Sequence, residues 1–271
     1  MARRSALINV MIRSADRAAR RLKRDFGEVT NLQVSRKGPA DFVSTADLKA
    51  EQILREELHR ARPDYGFLME ESGAAAAVGD EERRWIVDPL DGTTNFLHGL
   101  PHFAISIALA ERDEVVAGVV YDPIKDEMFF AEKGTGAYLN DRRLRVSGRR
   151  ELAESLFATG IPFKGAGEPE RFQAELAGFM HETAGVRRWG TASLDLAYVA
   201  AGRYDGFWER DLAPWDVAAG LLLVREAGGY ATAIDGGPVR LDGRSFLAAN
   251  DRIHGKLVSL LSAAETGGAA A

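Results

Sequence analysis

Three acidic groups in this chain stand at the ends of apolar segments, and no other feature constrains its folding as much. Phe67-Leu68-Met69 runs into Glu70-Glu71, Trp85-Ile86-Val87 runs into Asp88, and Trp215-Asp216 opens the apolar stretch Val217–Ala227, which Gly228-Gly229 ends. Apolar segments are buried, so each carboxylate is carried to the edge of a core, where its charge needs a counter-charge. In Asp88-Pro89-Leu90-Asp91-Gly92 the proline and glycine force a tight turn, so that Asp88 and Asp91 can converge at one strand end. Taken singly, Asp-Pro-x-Asp-Gly is an ordinary turn, Asp216 an ordinary N-cap and Glu70/Glu71 a solvated pair. Taken together they form an oxygen-rich set of the kind that hard cations such as Mg²⁺ accept. Between Gly92 and Phe96 the backbone can open a helix whose free N–H groups face an anion. Carboxylates plus a helix start point to phosphate chemistry.

Composition narrows the alternatives. With 35 Lys+Arg against 40 Asp+Glu the formal charge is −5, and 46% of the 271 residues are hydrophobic, which is globular and argues against a dedicated nucleic-acid binder. The length suits one large domain or two small ones sharing an interface. There is no cysteine, which removes disulfides, thiolate nucleophiles, cysteine-ligated zinc and iron–sulfur clusters and permits a reducing compartment. No apolar run approaches the ~20 residues of a membrane span. The amino-terminal stretch has no continuous apolar core and so is not a secretory signal. Its Leu7, Ile8, Val10, Met11, Ala15, Ala18 and Leu22 recur at helical spacing, with Arg13, Arg17, Arg20 and Arg24 on the outer face. A solvated face is the plain reading of those arginines; a transit peptide or an RNA-contacting face is the sharper one.

A second helix is marked by Ala46, Ala50, Ile53, Leu54, Leu58 and Ala61, with Ser44/Thr45 as cap and Pro63 as stop. A small-residue loop, Gly73–Gly79, separates it from strands at Arg84–Val87, Phe103–Ala110, Val115–Tyr121 and Glu127–Glu132, which read as an antiparallel meander. From about Glu151 the texture changes to a Gly/Pro-rich loop at Ile161–Pro169, a helix around Arg171–His181, and helices at Ala192–Ala201 and Val217–Ala227 with strands between them. The expected organisation is an α+β half over residues 1–150 that carries most of the candidate metal ligands. An α/β half over 151–271 carries Asp216, and the two form one compact unit. The tail Gly267–Ala271 is expected to fray. His98 and His102 stand at i, i+4 but lack the glutamate of a zinc motif, so they read as ordinary histidines.

At these residues the chain resembles the inositol monophosphatase family of Mg²⁺-dependent phosphomonoesterases. Asp41-Phe42-Val43-Ser44-Thr45-Ala46-Asp47, Glu70-Glu71-Ser72, Trp85–Phe96 and Trp215-Asp216-x-Ala218-Ala219-Gly220 are similar to the family's motifs in order and spacing across nearly the whole chain. Met69 stands where many members have glycine. The resemblance implies a five-layer αβαβα sandwich. It also implies a first metal on Glu70, Asp88 and the carbonyl of Leu90, a second on Asp88, Asp91 and Asp216, and two or three Mg²⁺ per site. In-line attack by activated water, without a covalent phosphoenzyme, would be assisted by Thr93 and Asp47. Gly92 and Thr93 would grip phosphoryl oxygens, and the loop Gly190-Thr191-Ala192 with Glu209 would read the hydroxyls of the substrate. The implied protein is cytoplasmic, homodimeric and inhibited by Li⁺. Its implied substrate is inositol 1-phosphate, with fructose 1,6-bisphosphate, 3′-phosphoadenosine 5′-phosphate or histidinol phosphate as alternatives. Some bacterial members also serve RNA polymerase or ribosome biogenesis, so a transcription-related partner is a further expectation. Lys37 matches no motif well. Arg187, Arg188 and Trp189 are candidates for a subunit interface.

Overall fold

A computed structural model describes residues 4–28, 34–38, 41–77, 80–162 and 167–267. The interior of the Gly/Pro-rich loop and the last four tail residues lie outside that set, as do the side chains of Lys37 and of Asp41–Val43.

Among the described residues the helices are α1 (Ala6–Phe26), α2 (Thr45–Ala61), α3 (Thr93–Leu97), α4 (Pro169–Glu182), α5 (Ala192–Ala200), α6 (Pro214–Glu226) and α7 (His254–Gly267). The strands begin with the hairpin β1 (Val34–Gly38) and β2 (Asp41–Ser44) between α1 and α2. An eight-stranded sheet follows, made of β3 (Tyr65–Met69), β4 (Gly73–Ala75), β5 (Asp80–Asp91), β6 (Ala104–Glu111), β7 (Glu114–Asp122), β8 (Glu127–Glu132), β9 (Gly136–Leu139) and β10 (Arg142–Arg143). Its order is β10-β9-β8-β7-β6-β5-β3-β4, antiparallel except where β3 runs parallel to β5. A five-stranded sheet holds β11 (Leu156–Thr159), β12 (Gly185–Arg187), β13 (Gly206–Arg210), β14 (Tyr230–Thr232) and β15 (Ser245–Ala249), in the order β12-β11-β13-β15-β14.

Side-chain alternation assigns the layers, because successive strand residues face opposite sides of a sheet. In the large sheet Trp85, Val87, Ile105, Ile107 and Leu109 pack with α1 and α2, whereas Ile86, Ala104, Ala108 and Ala110 face α5 and α6. In the small sheet Phe207, Phe246 and Ala248 face the same two helices, and Trp208, Leu247 and Ala249 face α4 and α7 through Phe179 and Leu257. The result is a five-layer αβαβα sandwich. Its middle layer is thin because small residues line it. A Cβ on Gly118 of β7 would sit 3.0 Å from the backbone of Ala219, and one on Gly220 of α6 would sit 2.5 Å from Cβ of Leu196 in α5.

Two details differ from the sequence reading. Strand β5 spans twelve residues rather than Arg84–Val87, since its charged first half is held by β6, with Arg83 paired to Glu111 at 2.8 Å. The stretch read as a small-residue loop contributes β4, a short edge strand whose alanines pair with Phe67 and Leu68.

Candidate active site

The sheet register assembles the carboxylates. Met69 of β3 pairs with Val87 of β5 in parallel, and the Glu70 N–H continues the ladder to the Val87 carbonyl at 3.2 Å, so Glu70 lies beside Asp88. Met69 is fully buried on the α1/α2 side, which leaves Glu70 on the other side, where Asp88 points. With strict alternation Asp88 and Asp91, three residues apart, would face opposite ways. The β5–β6 ladder shifts register between them, at Pro89-Leu90, a position where proline's missing donor is tolerated. The shift turns both carboxylates toward the middle layer and leaves Leu90 buried on the α1/α2 side. The Ser106 hydroxyl, opposite Asp88 on β6, donates to the Trp215 carbonyl at 3.1 Å and ties the start of α6, with Asp216, to the same spot.

Each carboxylate is partly satisfied by the protein. Asp88 Oδ1 accepts from Leu90 N at 2.9 Å, Asp91 Oδ2 from the N–H and hydroxyl of Ser193 at 2.8 and 2.5 Å, and Asp216 Oδ2 from Ala213 N at 2.7 Å. Burial pushes Asp88 well above the ordinary carboxylate range, with repulsion from Glu70, Asp91 and Asp216 adding to it and a hydrogen bond with Glu70 favouring a shared proton. Burial raises Asp91 to about 6 against the pull of Ser193. Burial and Asp91 raise Asp216. Among the described residues no three acidic or histidine side chains stand as a finished metal cage. The four groups meet instead as mutually repelling neighbours whose burial and repulsion favour the protonated forms of Asp88, Asp91 and Asp216. The donor chemistry is nonetheless all hard oxygen, three carboxylates and a half-buried Glu70 next to a main-chain carbonyl, which fits a small divalent cation.

A second group forms around Thr93, in the first turn of α3. Its hydroxyl is 3.0 Å from Asp47 Oδ1 and 3.0 Å from the Leu90 carbonyl. Asp47 is fully buried and closes a capping box on α2, with Oδ2 accepting from Ser44 N at 2.8 Å and Ser44 Oγ at 2.5 Å. Burial outweighs these bonds and raises its pKa. Gly92 caps α3 at φ 93°, and a Cβ there would lie 2.6 Å from Thr191 Oγ1, so glycine alone permits both the turn and the approach of the 190–192 loop. That loop is clamped from below. Asn95 Nδ2 donates to the carbonyls of His102 and Trp189 at 2.8 and 2.7 Å, and Thr191 Oγ1 donates to His102 O at 3.2 Å. The starts of α3, α5 and α6 thus all open on one space, with their positive dipole ends toward it.

Glu209 closes the substrate side from β13. Burial together with Asp216 and Asp91 raises it to about 8, against Arg188 and the Gly160 N–H. Its carboxylate lies over Gly160 so closely that a Cβ there would be 1.7 Å from Oε1. Two contributors escaped the sequence reading, Gly160, which makes room for Glu209, and Asp195; Ser193, expected by resemblance only at the end of the 190–193 substrate loop, instead holds Asp91 across 102 residues of chain. Asp195 is 1% exposed, neither of its oxygens is hydrogen-bonded, and burial plus Glu209 and Asp91 push it well up. None of these roles has a local sequence signal, because each depends on a contact between segments distant in the chain. The histidines keep their ordinary reading: His98 is exposed, and His102 is buried against Trp189, with Lys125 Nζ 3.4 Å from Nδ1. Burial and that ammonium hold His102 down at about 4.

Comparison with known proteins agrees with this geometry. Residues 3–266 match the inositol monophosphatase family. An inositol-1-monophosphatase of Rhizobium meliloti is 60% identical over 250 residues, 92% of this chain and 94% of that one. A putative Nus factor SuhB of Neisseria meningitidis serogroup B is 43% identical over 256 residues, 94% of this chain and 98% of that one. The crystal structure of the extragenic suppressor protein suhB from Bartonella henselae superposes with a TM-score of 0.92 at 56% identity, covering 95% of this chain and 98% of that one. The chain belongs to the inositol monophosphatase family.

Proposed function

We propose that this protein is a Mg²⁺-dependent phosphatase that hydrolyses inositol 1-phosphate to inositol and phosphate. The observation that carries this reading is the convergence of buried Asp88 and Asp91 with half-buried Glu70 and Asp216, repelling one another, at the starts of three helices. Glu70, Asp88 and the Leu90 carbonyl would hold one cation and Asp88, Asp91 and Asp216 another, with two or three per site. When bound, Mg²⁺ supplies Lewis acidity toward water and phosphoryl oxygens.

The chain's own residues do the rest. Thr93, between Asp47 and the Leu90 carbonyl, orients the attacking water and hands its proton toward Asp47. The N–H groups of Gly92 and Thr93 grip the phosphoryl oxygens. The Gly190-Thr191-Ala192 loop and Glu209 receive the polyol, whose vicinal hydroxyls hydrogen-bond to the Glu209 carboxyl group. Residues 1–150 and 151–271 act as one catalytic unit, since Asp91 and Ser193 come from different halves. Trp189, 49% exposed, is where we place the homodimer contact, and inhibition by Li⁺ belongs to the same reading. No helix among the described residues is long and apolar enough to cross a membrane, which suits a cytoplasmic enzyme.

Phosphate release across inositol 1-phosphate, fructose 1,6-bisphosphate, 3′-phosphoadenosine 5′-phosphate and histidinol phosphate tests the assignment. Preference for the first supports it, preference for another keeps the chemistry and changes the substrate, and silence on all four in folded protein rejects it. A transcription-related partner role is a second reading, favoured by the similarity to a putative Nus factor SuhB.

Two further results are expected. Ala at position 160 would push Glu209 aside, so Gly160→Ala should raise KM for inositol 1-phosphate roughly tenfold, the loss of about one hydrogen bond. Turnover of 4-nitrophenyl phosphate, which has no hydroxyls to read, should stay within about twofold. The raised carboxylates also set a pH dependence. Folded Asp91 and Glu209 hold protons up to about 6 and about 8, while the unfolded chain gives its own up near 4. Without divalent cation, the stability these two groups contribute should therefore be fully present below about pH 4 and be lost as pH rises toward about 8. Saturating Mg²⁺ should raise Tm by several degrees at pH 8 and by much less at pH 5, where protons compete for the same oxygens. A Tm indifferent to Mg²⁺ at both pH values would count against the site.

A further inference from the structure

Helix α1 buries one face completely and leaves the other strongly basic. Ile8, Met11, Ala15, Ala18 and Leu22 are all buried, while Arg13, Arg17, Arg20 and Arg24 form a stripe at i, i+4, i+7 and i+11, about 16 Å long at 1.5 Å per residue. Two adjoining grooves of about 480 and 640 Å³ lie along this stripe and share Arg17 and Arg20; Lys49 of α2 forms the far wall of the first. The acids in the grooves are largely engaged. Glu57 accepts from Arg17 at 2.5 Å and Arg60 at 2.7 Å, and Glu56 accepts from Gln52 at 3.0 Å. Asp16 lies near Arg20 without forming an ion pair with it. Arg13, Arg20, Arg24 and Lys49 are exposed, and among the described residues none of the four is within ion-pair distance of a carboxylate. A chain of net charge −5 thus carries a line of cations in which, among the described residues, only Arg17 is ion-paired.

We propose that this groove binds the phosphodiester backbone of a single-stranded nucleic acid. Several observations select that partner. The groove is concave with cations on both walls, which suits a thin polyanionic strand and not the flat surface of a bilayer. A helix that lies in a membrane inserts its apolar face, and that of α1 is already committed to the core. A groove between two packed helices is also far narrower than a duplex. No aromatic side chain lines it, so bases are offered no stacking platform and recognition rests on phosphates, without sequence preference. The surface would serve a transcription-related role but does not depend on the phosphatase reading.

Fluorescence anisotropy of the full chain with a labelled oligouridylate and a labelled oligodeoxythymidylate tests this, with polyglutamate and phosphatidylglycerol vesicles as competitors. Both strands are expected to bind, with log Kd against log salt of slope roughly 3, from about four phosphate contacts. RNA binding alone would add recognition of the 2′-hydroxyl to the same groove and still support the proposal. The triple variant Arg20→Glu/Arg24→Glu/Lys49→Glu should bind at least about tenfold more weakly while keeping its Tm and its phosphatase rate; Arg20→Lys/Arg24→Lys/Lys49→Arg should bind like the parent. Failure of the parent to bind either strand, a slope near zero, full binding by the charge-reversed variant, or competition by polyglutamate or vesicles at equal charge would each overturn the proposal. The slope and the competition are read on the parent protein, so they decide even if the charge-reversed variant does not fold.

Discussion

Replacing Asp88 by asparagine is expected to lower phosphate release by at least about a thousandfold, and to do so without loss of fold. Asp88 is the residue whose neighbours are most numerous and most repulsive: it is 2% exposed, is hydrogen-bonded to Glu70, and faces Asp91 and Asp216. An amide of the same shape can still accept from Leu90 N, which is 2.9 Å from Oδ1 in the parent, so the turn at Pro89 survives. What it cannot do is carry the negative charge that both proposed cation positions share. Two readouts should therefore separate. In the absence of divalent cation the Tm of Asp88→Asn should equal or exceed that of the parent, because a desolvated like-charge contact has been removed. The rise in Tm on adding Mg²⁺ should shrink to near nothing. A variant that keeps more than about a tenth of the parent rate would remove Asp88 from the chemistry. One that loses activity together with fold would give it a structural role instead.

The elements were readable from sequence wherever a period or a cap was strong. The α1 periodicity and the Ser44 cap of α2 each rest on contacts within a few residues, and the observed elements lie within a few positions of the expected ones. Strand β4, made of glycine and alanines, and the charged half of β5 were not readable, since each is a strand only because a neighbour supplies the ladder. The acidic residues could be picked out because each ends an apolar segment, and the structure brings them to one place through the Met69–Val87 register and the shift at Pro89-Leu90. Nothing in the local sequence announces Ser193 under Asp91, Gly160 under Glu209 or the unpartnered Asp195. These depend on the pairing of β11 with β13 and on the packing of α5 against the large sheet, which a linear pattern does not carry.

Substituting valine for Thr93 is expected to lower kcat for inositol 1-phosphate by about 10²–10³ with KM changed less than about threefold. Valine keeps the shape and the β-branch, so α3 and the Gly92 turn should persist, and only the hydroxyl is lost. That hydroxyl is 3.0 Å from each of two acceptors, Asp47 Oδ1 and the Leu90 carbonyl, and has one proton to give, so it can serve only one of them fully at a time. It therefore also offers its lone pairs to a further donor, the property required of a group that orients an attacking water. The contrast with Asp88→Asn is what makes the measurement decisive. Thr93→Val leaves Glu70, Asp88, Asp91 and Asp216 untouched, so Mg²⁺ should stabilise it as it does the parent, while Thr93→Ser, which restores the hydroxyl, should recover most of the rate. If Thr93→Val loses the Mg²⁺ response as well, the residue acts by holding the Leu90 carbonyl in place. If serine fails to rescue, the methyl group matters more than the proton, and the path from water to Asp47 must run elsewhere.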